Sequence, residues 1–219
     1  MFNQTSHEKA AARIAALLLA TALPLGVYAA ESTQGSAPIQ SVWQPQEIKY
    51  SYAGFTTAYN CDAFETKLEN ILKTLGAHPQ TKVRASGCNL NRPSRNFFVT
   101  VTTATPVPAT EEAVKRIQSS GYSESQQKLL ARLGSKNPVS SDQFPAQWQT
   151  TDLAQNRRLD LQPGDCELME GLRDHVLPKL EIKVVESSVQ CTPKQLSIQT
   201  PQLKVSALVA LPSADKPKT

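Results

Sequence analysis

Apolar residues recur at helical spacing in two places along the chain. Phe64, Leu68, Ile71, Leu72 and Leu75 form one stripe, and Leu168, Leu172, Val176, Leu177 and Leu180 form a second. Residues three and four apart share one side of a helix, so each stripe predicts an amphipathic helix with a face to bury. Each helix opens on a similar triplet, Asn60-Cys61-Asp62 and Asp165-Cys166-Glu167. Asn60 and Asp165 fall at the N-cap, where a short polar side chain can accept from orphan amides. Asp62 and Glu167 stand where a carboxylate complements the helix dipole. Gly76 ends the first helix, and Pro178 should bend the last turn of the second.

The order of elements repeats as well. After the first helix come Lys82 to Cys88 and the apolar run Phe97 to Val101; after the second come Lys183 to Cys191 and Leu203 to Val209. Ile48 to Phe55 alternates like a half-buried strand ahead of the first helix, whereas Trp148 to Leu161 reads as one long strand or as a hairpin around Asn156. The pattern predicts an α+β fold of two diverged β-α-β-β repeats. About six mostly antiparallel strands form its sheet, with the repeat helices on one face. Glu111 to Ser120 and Ser123 to Leu133 have helical character, are broken at Gly121, and have no counterpart in the second repeat. Such an insertion covers a sheet edge or offers a docking site to a partner, the covering role being the commoner.

Composition separates the ends from this middle. Lys9 and Arg13 precede the apolar run Ile14 to Val27, and Val27-Tyr28-Ala29 has the small-residue spacing of a cleavage site, so residues 1–29 read as an export signal. The run falls short of the roughly 20 residues that span a bilayer, and no transmembrane span is expected in the mature form. Residues 30–46 are rich in Ser, Gln and Pro and read as a flexible leader. The first repeat is assigned to 47–107, the helical insertion to 108–146, the second repeat to 147–212 and a disordered polar tail to 213–219. Of 23 basic and 19 acidic residues, Lys9, Arg13 and Glu8 lie in the signal, so the remainder carries a net charge near +3. The basic residues are scattered rather than gathered on a stripe, and nucleic acid is not an expected partner.

Four cysteines in an exported chain imply two disulfides, with three possible pairings. A helix from Cys61 to Leu75 advances about 22 Å and a strand from Lys82 to Cys88 returns about 23 Å. The chain therefore comes back to its starting cysteine, which favours Cys61 with Cys88 and, by the same reasoning, Cys166 with Cys191. Cross-repeat pairing is the alternative.

Catalytic chemistry is sparse. His78 and His175 occupy unrelated positions without metal-ligand spacing, no G-x-S-x-G elbow is present, and no C-x-x-C pair suggests redox work. Neither a metal nor a cofactor is expected. Asp62 and Glu167 are pseudo-symmetric acids, although their place at helix starts already accounts for them. The basic turn Asn91 to Asn96, with Arg92 and Arg95, and Arg84 on the strand before it, present guanidinium groups suited to carboxylates or phosphates. Tyr59 joins this candidate surface as part of an aromatic set with Tyr50, Tyr52 and Phe55. Tyr50 and Tyr52 alternate as core-side residues, and Phe55 with Tyr59 would close over the first disulfide.

The runs Gly54-Phe55-Thr56-Thr57-Ala58-Tyr59-Asn60-Cys61-Asp62, Lys82-Val83-Arg84-Ala85-Ser86-Gly87-Cys88 and Gly164-Asp165-Cys166-Glu167-Leu168 resemble signal-bearing proteins of undefined role from Gram-negative bacteria. The resemblance covers under half the chain and implies a periplasmic or secreted address, with no activity attached. The reading is of a disulfide-stabilised, non-catalytic binding or structural protein of the envelope, with an envelope protein or an anionic polymer as partner. The alternatives are a small carboxylate-dependent hydrolase acting on envelope polymers and a thiol-disulfide partner.

Overall fold

The computed structural model describes residues 36–89, 92–120, 143–195 and 198–212. The expected signal at 1–29, Asn91 of the expected basic turn, the helical stretch expected at 123–133 and the expected tail at 213–219 lie outside the described residues. Among the described residues the fold is α+β: a six-stranded, open, antiparallel sheet with three helices and two disulfides. In chain order the elements are β1 (Ile39–Ala53), α1 (Cys61–Thr74), β2 (Lys82–Ser86), β3 (Asn96–Pro108), α2 (Glu111–Ser120), β4 (Phe144–Asp152), α3 (Cys166–Gly171), β5 (Lys183–Ser187) and β6 (Leu203–Ala210). The sheet order is β2-β3-β1-β4-β6-β5.

Helix α1 buries Phe64, Leu68, Ile71 and Leu72, the residues its periodicity marks. Burying side chains of this size contributes about 2 kcal/mol each. Gly76 follows at φ +86°, where an L side chain is strained and a Cβ would come within 2.9 Å of Leu208 O. The second helical stripe is less regular. After α3 the winding loosens to a π turn over Leu172–Val176 and tightens to 3-10 over Leu177–Leu180, the stretch in which Pro178 can give no amide hydrogen bond. Leu168, Met169, Leu172, Val176, Leu177 and Leu180 are nonetheless buried, in the same core as the α1 stripe. Ile48, Tyr52, Val83, Phe97, Val99, Val101, Leu203, Val205 and Ala207 supply its sheet side. Both helical stripes therefore lie on one face of the sheet.

Strand β1 begins at Ile39, well before the Ile48 expected from composition, and runs through the segment assigned to a flexible leader. Its Ser, Gln and Pro content conceals it. The strand is held from outside, by pairing Ser41–Ala53 with Pro108–Asn96 of β3 and by the fully buried Val42. Its pairing with β4 is confined to Ile39–Ser41 against Ala146–Phe144. Strand β4 itself lies at 144–152, ahead of the expected 148–161; Leu153 onwards turns away into two short 3-10 segments. Its Gln and Thr content gives little apolar alternation to read.

Helix α2 forms where expected. Ala113 and Ile117 pack on Val42 of β1 and Val107 of β3, both interior strands, as a small second core. Among the described residues no helix is long and apolar enough to cross a membrane.

Candidate functional site

The two disulfides are Cys61–Cys88, with Cα atoms 6.4 Å apart, and Cys166–Cys191, at 5.7 Å. Each ties a helix start to the chain beyond the following strand. Their neighbouring acids behave differently. Asp62 is exposed, and neither Asn60 nor Asp165 forms a side-chain cap on the helix it precedes. Asp165, 3 % exposed, accepts from Lys67 Nζ at 2.8 and 3.0 Å, from the Gln162 amide at 2.7 Å and from the Tyr59 hydroxyl. Glu167, also buried, accepts from the amides of Thr56 at 2.7 Å and Thr57 at 3.1 Å. The caps expected on α1 and α3 do not form: Asp165 instead closes the 3-10 turn at 163–165 through the Gln162 amide and reaches Tyr59 and Lys67, and Glu167 reaches the loop between β1 and α1.

That loop is built to be grasped. Gly54 donates to Arg95 O at 2.6 Å, and a Cβ on it would collide with Thr57 O and the Tyr52 ring. Tyr59 and Ser94 exchange backbone hydrogen bonds at 3.0 and 2.8 Å. Gly164 lets the second half approach, since a Cβ there would lie 3.3 Å from Thr57 Oγ1. The runs Gly54 to Asp62 and Gly164 to Leu168 thus meet in space.

Beside this junction lies a cavity of about 220 Å³, lined by Thr56, Thr57, Gly164, Glu167, Thr192 and the Cys166–Cys191 bridge. Chemically it holds one carboxylate, already engaged by two amides. Burial, followed by the Asp165 carboxylate that its hydroxyl meets, raises Tyr59 far above the ordinary phenol range, so Tyr59 serves as a neutral donor. Asp62 and Glu167, one exposed and one buried, do not share an environment that would set up paired acids. His78 packs edge-on against Trp43 and His175 stacks on Tyr50. Among the described residues no group of three His, Cys, Asp or Glu could hold a metal.

The candidate surface residues separate. Tyr59 is buried beneath the junction and does not belong to an exposed surface. Arg84, Arg92 and Arg95 are exposed. Arg95 donates to Phe55 O at 2.5 Å, so its guanidinium is committed in part to the loop, and Phe55 itself stands 60 % exposed instead of closing over the first disulfide. Arg84 has a 79 % exposed side chain and only a 4.0 Å approach to Glu65.

Strand register adds residues that the sequence reading passed over. Phe98 lies between Ser86 and Ser51, Thr100 between Arg84 and Lys49, and Thr102 between Lys82 and Glu47. Directly paired residues share a face, so these nine form a grid on the side opposite α1 and α3. Phe98, at 66 % exposed, stands on it next to the row of Arg84 and Lys49. Two consecutive phenylalanines in a strand cannot face the same way, so one of Phe97 and Phe98 had to point outwards.

Comparison with protein-family models, curated proteins and solved structures finds no significant match to this chain.

Proposed function

We propose that this chain is an exported, non-catalytic binding protein of the bacterial envelope, and that the sheet face of its first half opposite α1 holds an anionic, sugar-containing polymer. The observation that carries the reading is Phe98, 66 % exposed on the three-stranded face opposite α1, with Arg84 and Lys49 in the adjacent row. An exposed aromatic ring offers a stacking surface to a sugar ring, and neighbouring cations suit phosphate or carboxylate groups. Arg92, exposed in the connection between β2 and β3, is a further candidate cation. The buried acids, by contrast, are occupied in joining the two halves. Export is supported by the sequence of residues 1–29 and by two disulfides with no free cysteine.

The scaffold is read as two fused β-α-β-β repeats. This is supported by the strand order, in which β2-β3-β1 and β5-β6-β4 run inwards from the two edges with matching ranks. The disulfides, spanning 27 and 25 residues from equivalent helix starts, support it too.

Titration of the purified chain with lipopolysaccharide, and separately with a sulfated glucan, tests the binding face. Binding should weaken with salt, weaken further in Arg84→Ala and Arg92→Ala, and lose its sugar-dependent part in Phe98→Ser. Unchanged binding in an Arg84→Ala, Phe98→Ser double variant would overturn the assignment.

A further inference from the structure

The sheet has two edges, and they are finished differently. At β2, the amides of Val83 and Ala85 are taken by Glu69 at 3.0 Å and Glu65 at 2.8 Å, reaching from α1. Carboxylates that occupy edge amides leave no template for another strand. Glu170 and Asp174 hold the corresponding places in the second half, four and eight residues after the helix cysteine. They do not reach β5. Arg173 takes both, at 2.6 and 2.9 Å to Asp174 and 3.8 Å to Glu170, and also donates to Val189 O at 2.6 Å. The β5 backbone pairs with β6 alone among the described residues, and all five of its residues are exposed, including Val184 at 42 % and Val185 at 57 %.

We infer that β5 is a self-association edge, on which a second copy of this chain adds its own β5 antiparallel about a two-fold axis normal to the sheet. The charge pattern selects that occupant. The run Lys183-Val184-Val185-Glu186 is self-complementary when reversed: Lys183 of each copy faces Glu186 of the other, with Val184 against Val185 between them. In a regular strand Lys183 and Glu186 would lie on opposite faces, and this register would fail. The irregularity between Val184 and Glu186 changes that. Lys183 pairs with Ser206 and Glu186 with Lys204, and these two β6 positions share a face, so Lys183 and Glu186 do as well. Lys183 sits over the Trp148 ring on that face, and Glu186 lies 3.5 Å from Lys204. Five residues of edge bury much less than the roughly 800 Å² per partner of a stable interface, so the dimer is weak and concentration-dependent.

Sedimentation velocity on the purified chain, with disulfides closed, tests this over a wide concentration range. The wild type should pass reversibly from monomer to dimer. Lys183→Glu and Glu186→Lys should each weaken the dimer about tenfold, since each turns two attractive pairs into repulsive ones. An equimolar mixture of the two variants should recover wild-type association, because each then meets its complement. Both side chains are exposed, and unchanged near-ultraviolet circular dichroism would show the fold intact. A wild type that stays monomeric, a dimer indifferent to both reversals, or a mixture that fails to recover would each overturn the proposal.

Discussion

Two triplets of nearly the same sequence stand at the starts of α1 and α3, yet one is peripheral and the other fastens the molecule. Around Cys61, Asp62 is solvent-exposed and Asn60 makes no side-chain cap. Around Cys166, Asp165 and Glu167 are buried and bind the loop that precedes α1. The difference teaches that chemical likeness at equivalent positions does not carry equal energy. A carboxylate in solvent gains little from a helix dipole, whereas a buried one must be satisfied in full and is costly to leave half-satisfied.

Asp165→Ala is the largest way to break the comparison. It takes from Lys67 its carboxylate, leaving that ammonium only the Asp160 carbonyl, and leaves the Tyr59 hydroxyl without its acceptor. Removing one partner of a buried ion pair typically costs about 3 to 5 kcal/mol, so denaturant unfolding should show a large loss. Adding Lys67→Met should recover part of it, since the uncompensated charge goes. A loss below about 1 kcal/mol would mean the junction is not where the halves are held.

Glu167→Ala against Asp62→Ala comes next. The first frees two amides at Thr56 and Thr57 and should cost about 2 to 3 kcal/mol; the second should stay within about 0.5 kcal/mol. Equal losses would restore the symmetric, dipole-only view of the triplets. Protease sensitivity should rise at the Gly54 to Asn60 loop in Glu167→Ala only.

What could be read from the chain divides along the same line as these energies. The α1 stripe, the disulfide partners and the antiparallel α+β layout depend on periodicity and on short spans, and the residues declare them. The junction depends on pairs such as Thr56 with Glu167 and Tyr59 with Asp165, more than a hundred positions apart. No local rule links them, so Asp165 reads as a cap, Glu167 as a complement to the helix dipole and Tyr59 as a surface aromatic. The early start of β1 was hidden for a related reason: Gln40, Gln44 and Gln46 are polar, and only their partners, Pro145 of β4 opposite Gln40 and Thr105 and Thr103 of β3 opposite Gln44 and Gln46, show that they are strand. Phe98 was different, because strand parity alone could have placed it outwards.

The two sheet edges give the third test. Glu65→Gln with Glu69→Gln keeps the side-chain carbonyls that can accept from Ala85 and Val83 but removes their charge, and should cost about 1 kcal/mol in all. Alanine at both positions should cost more and leave the β2 edge as open as β5. Concentration-dependent association beyond that of the wild type is then expected of the alanine pair. If that pair associates no more than the wild type, the carboxylates do not guard the edge.

The smallest effect concerns acid. Burial acts to raise the Glu69 carboxyl, but the Val83 amide and Lys73 outweigh it and hold the group below its ordinary value in the folded chain. A carboxyl with a depressed folded value binds protons more readily when unfolded, so it adds stability above the ordinary glutamate range. That contribution fades as pH falls from the ordinary value through the lowered one. Asp174, held down chiefly by its Arg173 hydrogen bond, follows the same sign on the other side of the molecule. Unfolding free energies measured from pH 6 down to pH 3 should therefore fall less steeply in Glu69→Gln and in Asp174→Asn than in the wild type. The two differ in what acid does to the edges: protonating Glu69 weakens the acceptor that covers the Val83 amide of β2, whereas protonating Asp174 weakens its hydrogen bonds to Arg173. Acid-induced association should thus be sensitive to Glu69→Ala and indifferent to Asp174→Ala, and the reverse result would exchange the roles assigned to β2 and β5.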